Sequence, residues 1–205
     1  NPSVTCKNAT LSLDGTGNQT LTVADVFDSG SDNCSTSAEL EASGSLSQSA
    51  FDCSNIGIHT VTLTVTDGSS NTGNCTATVT VQDDEMPTVN CKTTTLELDN
   101  NGDGVLTVDD IFDSASDNCA SASDIKNSGS LNMTNFNCSH MGNQSVTLTV
   151  NDGNGNSNSC SVNISVADNA APTFTSCPTY PTSFETEPGE CFSTVTFTSP
   201  TATDN

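Results

Sequence analysis

The chain contains no arginine and only three lysines, Lys7, Lys92 and Lys126, against 25 acidic residues, giving a formal charge of −22 over 205 residues. That shortage excludes two classes of partner. Nucleic-acid binders displace counterions from phosphates with lysine and arginine, and binders of anionic membrane surfaces use the same cations. Tryptophan is missing and aromatic residues make up 4% of the chain, so little is available to build the apolar pocket that raises the pKa of a catalytic acid. No apolar run reaches the roughly eighteen residues of a membrane-spanning helix, which argues against direct membrane insertion. The first residues, NPSVTC, lack the basic and apolar segments of an export signal, so the chain reads as a mature piece or a fragment. His59 and His140 sit in no Ser/His/Asp or HExxH context, and no glycine-rich phosphate loop runs from a strand into a helix. Nothing points to an enzyme.

What is present in quantity is cysteine, ten in all. With no CxxC pair and no matched histidines, they read as disulfides of an oxidising, extracellular compartment rather than as zinc ligands. They also carry a period. The phrase VTLTVTDGSSNTGNC at 61–75 returns as VTLTVNDGNGNSNSC at 146–160, 85 positions later. Cys6, Cys34, Cys53 and Cys75 return at the same shift as Cys91, Cys119, Cys138 and Cys160, as do Pro2, Phe27, Asp32, Phe51 and Asp67 at Pro87, Phe112, Asp117, Phe136 and Asp152. Core, turn and cysteine positions repeat together, which marks a structural unit. The expected units are 1–85, 86–170 and the beginning of a third at 171–205.

Within a unit the apolar residues alternate. Val61, Leu63 and Val65 face one way while Thr60, Thr62, Thr64 and Thr66 face the other, and Ala77, Val79 and Val81 continue the pattern after the turn DGSSNTGN. The threonine face resembles a water-ordering ladder, but Ser145, Asn151, Ser161, Asn163 and Ser165 break its regularity in the second copy. Helices are expected to be no longer than about a turn, at VADVF and VDDIF behind a threonine cap. The fold class is therefore all-β: tandem immunoglobulin-like antiparallel β-sandwiches, stapled by disulfides, in an extended beads-on-a-string array. Four cysteines allow three pairings. An immunoglobulin-like strand order favours Cys6 with Cys75 and Cys34 with Cys53, hence Cys91 with Cys160 and Cys119 with Cys138. The partners of Cys177 and Cys191 stay open.

Carboxylates gather at two places where a hard cation would be at home. At the junction VQDDEMPT, Asp83 and Asp84 are expected to meet Asp117 and Asn118 of SDNC and Asp152 and Asn154 of NDGNGN; oxygens from three segments are how calcium is held. Asp168 and Asp204 would be the corresponding set one unit on. The stretch DNNGDGVLTVDD places Asp99, Asn101, Asp103, Thr107 and Asp110 in the order of an EF-hand loop, although a tight turn between two strands accounts for the same residues.

The residues VTLTVTDGSSNTGNCTATVTVQDDEMPTVNC across the first junction, with APTFTSCP and GECFSTVTFTSPTATDN near the end, resemble HYR repeats and share a strand and loop with PKD domains. The four-cysteine version is similar to tandem repeats of very large secreted adhesins of Bacteroidota. The resemblance implies an extracellular, cell-surface location and a structural role in attachment, as a stalk or linker. The implied partners are neighbouring repeats and, in a filament, identical chains. The alternative is a calcium-dependent or carbohydrate-binding module that takes surface glycans at the loops SDNC and DGSSN.

Overall fold

The computed structural model describes residues 1–176, 188–189 and 199–204. Cys177, Cys191 and most of the expected third unit lie outside the described residues.

The first unit runs β1 (Ser3–Cys6), β2 (Ala9–Ser12), β3 (Asn18–Thr20), α1 (Val23–Val26), β4 (Phe27–Ser31), α2 (Ser37–Ala42), β5 (Ser45–Leu46), β6 (Ala50–Asp52), a 3-10 turn (Cys53–Asn55), β7 (Gly57–Thr66) and β8 (Thr72–Gln82). The second repeats it as β9 (Thr88–Cys91), β10 (Thr95–Glu97), β11 (Asp103–Val105), α3 (Val108–Ile111), β12 (Phe112–Ser116), α4 (Ala122–Asn127), β13 (Ser130–Leu131), β14 (Asn135–Asn137), a 3-10 turn (Cys138–His140), β15 (Gly142–Asn151) and β16 (Ser157–Ala167). Beyond it β17 (Thr173–Ser176) pairs antiparallel with β18 (Thr201–Thr203), as β1 pairs with β4 and β9 with β12.

Each unit is a small two-layer sandwich. One layer is the sheet β2-β8-β7-β5, or β10-β16-β15-β13 in the second unit, and the other is made of the pairs β1-β4 and β3-β6, or β9-β12 and β11-β14. Strands β2 and β10 run parallel to β8 and β16; the remaining pairs are antiparallel. The alternation in the sequence is the alternation of burial. Leu63, Val65 and Val79 are fully buried, as are Leu148, Val150 and Ile164, and they pack on Leu21, Leu40 and Phe51 or on Leu106, Ile125 and Phe136. Each unit thus has its own core.

Two helices exceed the expected single turn. Helices α2 and α4 have six residues each and bury Leu40 and Ile125. The first starts in a full capping box: the Glu39 amide donates to Thr36 Oγ1 at 3.3 Å, and the Thr36 amide and hydroxyl donate to Glu39 at 2.8 and 2.9 Å. The sandwich places His59 and Gln144, which share one repeat position, in the same role: His59 Nε2 lies 2.6 Å from the Asn55 carbonyl, and Gln144 Nε2 donates to that of His140 at 2.9 Å.

Three disulfides are present among the described residues. Cys6 joins Cys75 and Cys91 joins Cys160, tying the end of the first strand to the start of the last in each unit. The third corrects the sequence expectation. Cys53 bonds to Cys119 of the next unit, and Cys34 and Cys138 are free and exposed, so neither Cys34–Cys53 nor Cys119–Cys138 forms. The reason is strand direction. Cys53 precedes β7, whereas Cys34 shares a hollow with Thr66 and Asp67 where β7 ends. Ten residues of strand at about 3.3 Å each hold the two cysteines roughly 30 Å apart, far beyond what a disulfide spans.

Candidate functional site

The strand order puts the carboxyl end of the first unit against the amino end of the second, and three segments with acidic residues converge there. Asp83 follows β8, Asp117 follows β12 and Asp152 opens the turn between β15 and β16. Each offers a carboxylate oxygen, and these lie within 4.8 Å of one another, the one such acidic group of three among the described residues. Among the described residues Asp83 and Asp152 are the buried charged ones, at 4% and 8% exposure, and Asp117 is half-buried.

Local turn chemistry aims these groups. Asp152 Oδ1 accepts from the amides of Asn154, Gly155 and Asn156 at 2.8, 3.1 and 3.1 Å, and Oδ2 accepts from Asn156 Nδ2 at 2.6 Å. Burial works to raise its pKa. The donors from the Asn156 side chain and the three amides outweigh that, so the carboxyl is held below the usual aspartate value and stays ionised. Asp83 accepts from the Glu85 amide at 3.2 Å and from Asn154 Nδ2 at 3.1 Å, while its carbonyl accepts from Asn156 Nδ2 at 3.0 Å. Asp117 Oδ2 accepts from the amides of Cys119 and Ala120, at 3.0 and 2.9 Å. Its Oδ1 and the Oδ1 of neighbouring Asn118 are buried and accept no hydrogen bond.

No lysine neutralises the cluster. Lys126 pairs with Asp109 at 2.7 Å, and Lys7 and Lys92 act on Asp25 and Asp110. Three converging carboxylates with orphaned oxygens beside them are an all-oxygen donor set of the kind a hard divalent cation takes, and oxygens on one such ion stand up to about 5 Å apart. A hollow of about 250 Å³ lined by Gly15, Glu85, Met86, Asp117 and Asn118 opens onto it.

The contact between units is close. Asn118 Nδ2 donates to the Asp14 carbonyl at 3.0 Å, and a Cβ on Gly17 would stand 2.5 Å from Cys53 Sγ and 2.7 Å from the Asn118 carbonyl. Gly17 has φ +73°, so glycine serves both the turn and the approach. Pro87 is buried at the linker and its carbonyl accepts from Asn158 at 2.8 Å.

Comparison with known proteins now decides the family. The HYR domain model matches residues 1–81 and 82–166. The chain belongs to the HYR family. No curated protein matches it. Among solved structures, the protocadherin gammaB7 EC3-6 cis-dimer is 14% identical with a TM-score of 0.34; 82% of this chain covers 48% of that one. The extracellular domain of protocadherin gammaB4 gives 14% identity and a TM-score of 0.38, with 85% of this chain covering 34% of that one. Human mucin-like protocadherin EC1-2 gives 13% and 0.36, with 82% of this chain covering 98% of that one. The chain thus spans half or less of the first two.

Of the residues the sequence nominated, the junction between HYR units brings together Asp83, Asp117 and Asp152, with Asn118 and Asn154 beside them. Asp84 is corrected: it is exposed and turns back to its own unit, accepting from Ser12 Oγ at 2.5 Å and Gln82 Nε2 at 2.8 Å. The EF-hand reading is corrected as well. Asp99 Oδ1 accepts from the amides of Asn101 and Asp103, at 2.8 and 3.0 Å, as the anchor of a strand-to-strand turn. Asp110 accepts from the Thr107 amide and hydroxyl at 2.7 Å and caps α3. The two carboxylates serve separate backbone termini instead of one cage.

The interunit disulfide and the Gly17 contact were missed by the sequence reading. The signal for the first lay in the repeat: a bond between the third cysteine of one unit and the second of the next uses the same period as one within a unit.

Proposed function

We propose that this chain is part of the structural repeat region of an extracellular adhesin or surface filament, a stalk of HYR units divided near 85/86 and 170/171, whose junctions are set by calcium. Its action is mechanical. Each unit is closed by its own disulfide, and the junction between the two units is held by a second disulfide and by one cation. The ligands would be carboxylate oxygens of Asp83, Asp117 and Asp152, with the Asn118 amide oxygen adjacent. Calcium supplies the positive charge that allows three carboxylates to converge; the protein supplies turns that orient them before the ion arrives.

The observation that carries this reading is the convergence of partly buried carboxylates from both units at the one place where a spacer must resist bending. No nucleic-acid or membrane-surface partner fits the charge of −22, and among the described residues no helix is long and apolar enough to cross a membrane. Neighbouring repeats, and identical chains in a filament, are the partners this architecture suits.

Calorimetric titration of the intact chain with calcium tests the reading. The expected result is a binding event weakened by about tenfold or more in D117N, which keeps the shape but removes a charged ligand. Equal heats in both proteins, or none in either, would remove calcium from the account.

A further inference from the structure

The amino end of the first unit repeats the aspartate and cysteine positions of the face on which the second unit receives the first. Asp32 Oδ2 accepts from the amides of Cys34 and Ser35 at 3.1 and 3.3 Å, as Asp117 does from Cys119 and Ala120. Asp67 Oδ1 accepts from the amides of Ser69 and Asn71, both at 2.8 Å, and Oδ2 from Asn71 Nδ2, as Asp152 does in its own turn. The cysteine in this arrangement is bonded across the junction in the second unit, at Cys119, and is a free, exposed thiol in the first, at Cys34. It lines an open hollow of about 360 Å³ with Ser35, Glu39, Thr66, Asp67 and Gly68. The complementary thiol has an equivalent too. Cys138 is free and lies 3.7 Å from the Gly102 carbonyl, as Cys53 lies 3.6 Å from that of Gly17.

We propose that this end of the first unit is a covalent docking face for another HYR unit, which it holds by a disulfide from Cys34 to that unit's counterpart of Cys53. The bonded Cys53–Cys119 pair is the template. A unit seated in the same way would bring its Cys53 counterpart to Cys34 and its Asp83 counterpart toward Asp32 and Asp67. Two thiols would each lose a proton, a sulfur–sulfur bond would form, and the two electrons would pass to a disulfide oxidant such as oxidised glutathione, which leaves as two thiols. This deepens the reading of the chain as a stack of units and does not depend on calcium.

The test extends the full chain by one repeat: a second copy of residues 86–170 is placed ahead of Asn1, so that Ala170 of the added unit leads into it at the natural period. Both proteins are folded in a glutathione redox buffer containing EGTA, alkylated without reduction, digested and mapped by mass spectrometry. In the parent chain Cys34 should be alkylated. In the extended chain its labelling should fall about tenfold and Cys34 should appear bonded to the added unit's Cys138. C34S in the extended chain should return the added Cys138 to full labelling with Cys53–Cys119 intact. The proposal is overturned if Cys34 of the extended chain is labelled as fully as in the parent, if it is bonded to Cys53, or if the Cys53–Cys119 bond that serves as template is not found. Chelator is present throughout, so failure of calcium binding cannot imitate any of these results.

Discussion

Cys53 and Cys119 belong to different repeats, yet their Cα atoms are 5.4 Å apart and a disulfide joins them. A bond of this kind contributes little to closing either core, since each unit already carries a bridge between its first and last strands. It restricts the orientation of one unit on the next. The two classes of bridge should therefore separate by experiment.

Replacing Cys6 and Cys75 by serine opens a loop with a sequence separation of 69. On the chain-entropy estimate that costs about 4 kcal/mol, a large share of the stability of a small domain. The first unit should unfold at markedly lower denaturant while the second is unchanged. The C53S/C119S pair, with a sequence separation of 66, should on the same estimate lower both unfolding midpoints together, without singling out the first unit, and should loosen the junction. Urea titration followed by a probe in each unit distinguishes the two cases.

Gly17 gives a sharper test of the contact. Alanine there meets a positive φ and a side chain with no room, whereas Gly15 has open space within 4 Å. G17A should cost about 1 kcal/mol in the first unit and should slow formation of the Cys53–Cys119 bond; G15A should do neither. Alkylation of Cys53 during oxidative refolding reads the second effect.

Much of this was legible beforehand and some was not. The alternation of Val61, Leu63 and Val65 with threonine announces a half-buried strand. The Thr22–Asp25 and Thr107–Asp110 spacings announce short helices, and Thr36-x-x-Glu39 carries the same signal for α2, where SAEL offers only one large apolar residue. The cysteine pairing was illegible for a different reason. In a tandem repeat, a bond within a unit and one across a junction have the same composition and period, and only the direction of β7 separates the two ends. In the EF-hand-like stretch the strand-to-strand turn, which the sequence offered beside the cation loop, is the reading the donors to Asp99 fit; an aspartate that caps a turn and one that binds a cation look alike until the backbone donors are counted. His59 and His140 looked unrelated in sequence, yet they stack edge-on against the equivalent rings of Phe51 and Phe136, at 5.6 and 5.7 Å between centroids.

The helix caps predict a pH response. The Thr22 hydroxyl and amide donate to Asp25 and, against a smaller opposing effect of burial and with help from Lys7, hold its carboxyl below the usual aspartate value. A depressed carboxylate contributes stability that is fully present above the unfolded value and disappears as pH falls through the folded one. D25N should therefore be less stable than the parent by about 0.5–1 kcal/mol at neutral pH, at the low end because the site is exposed. The gap should persist between pH 7 and 5 and close only below the ordinary aspartate range, near about 3.9. Thermal melts of both proteins across that range supply the comparison.

Small-angle scattering from the chain under two conditions addresses the central claim, that adjacent units form a fixed pair held by sulfur and by a cation. In calcium and without reductant, the scattering should fit a single arrangement of two stacked units. In the C53S/C119S variant in EGTA, it should require a spread of interunit angles while each unit stays folded. Identical profiles in the two conditions, or a spread of angles already present in calcium with the Cys53–Cys119 bond intact, would contradict it.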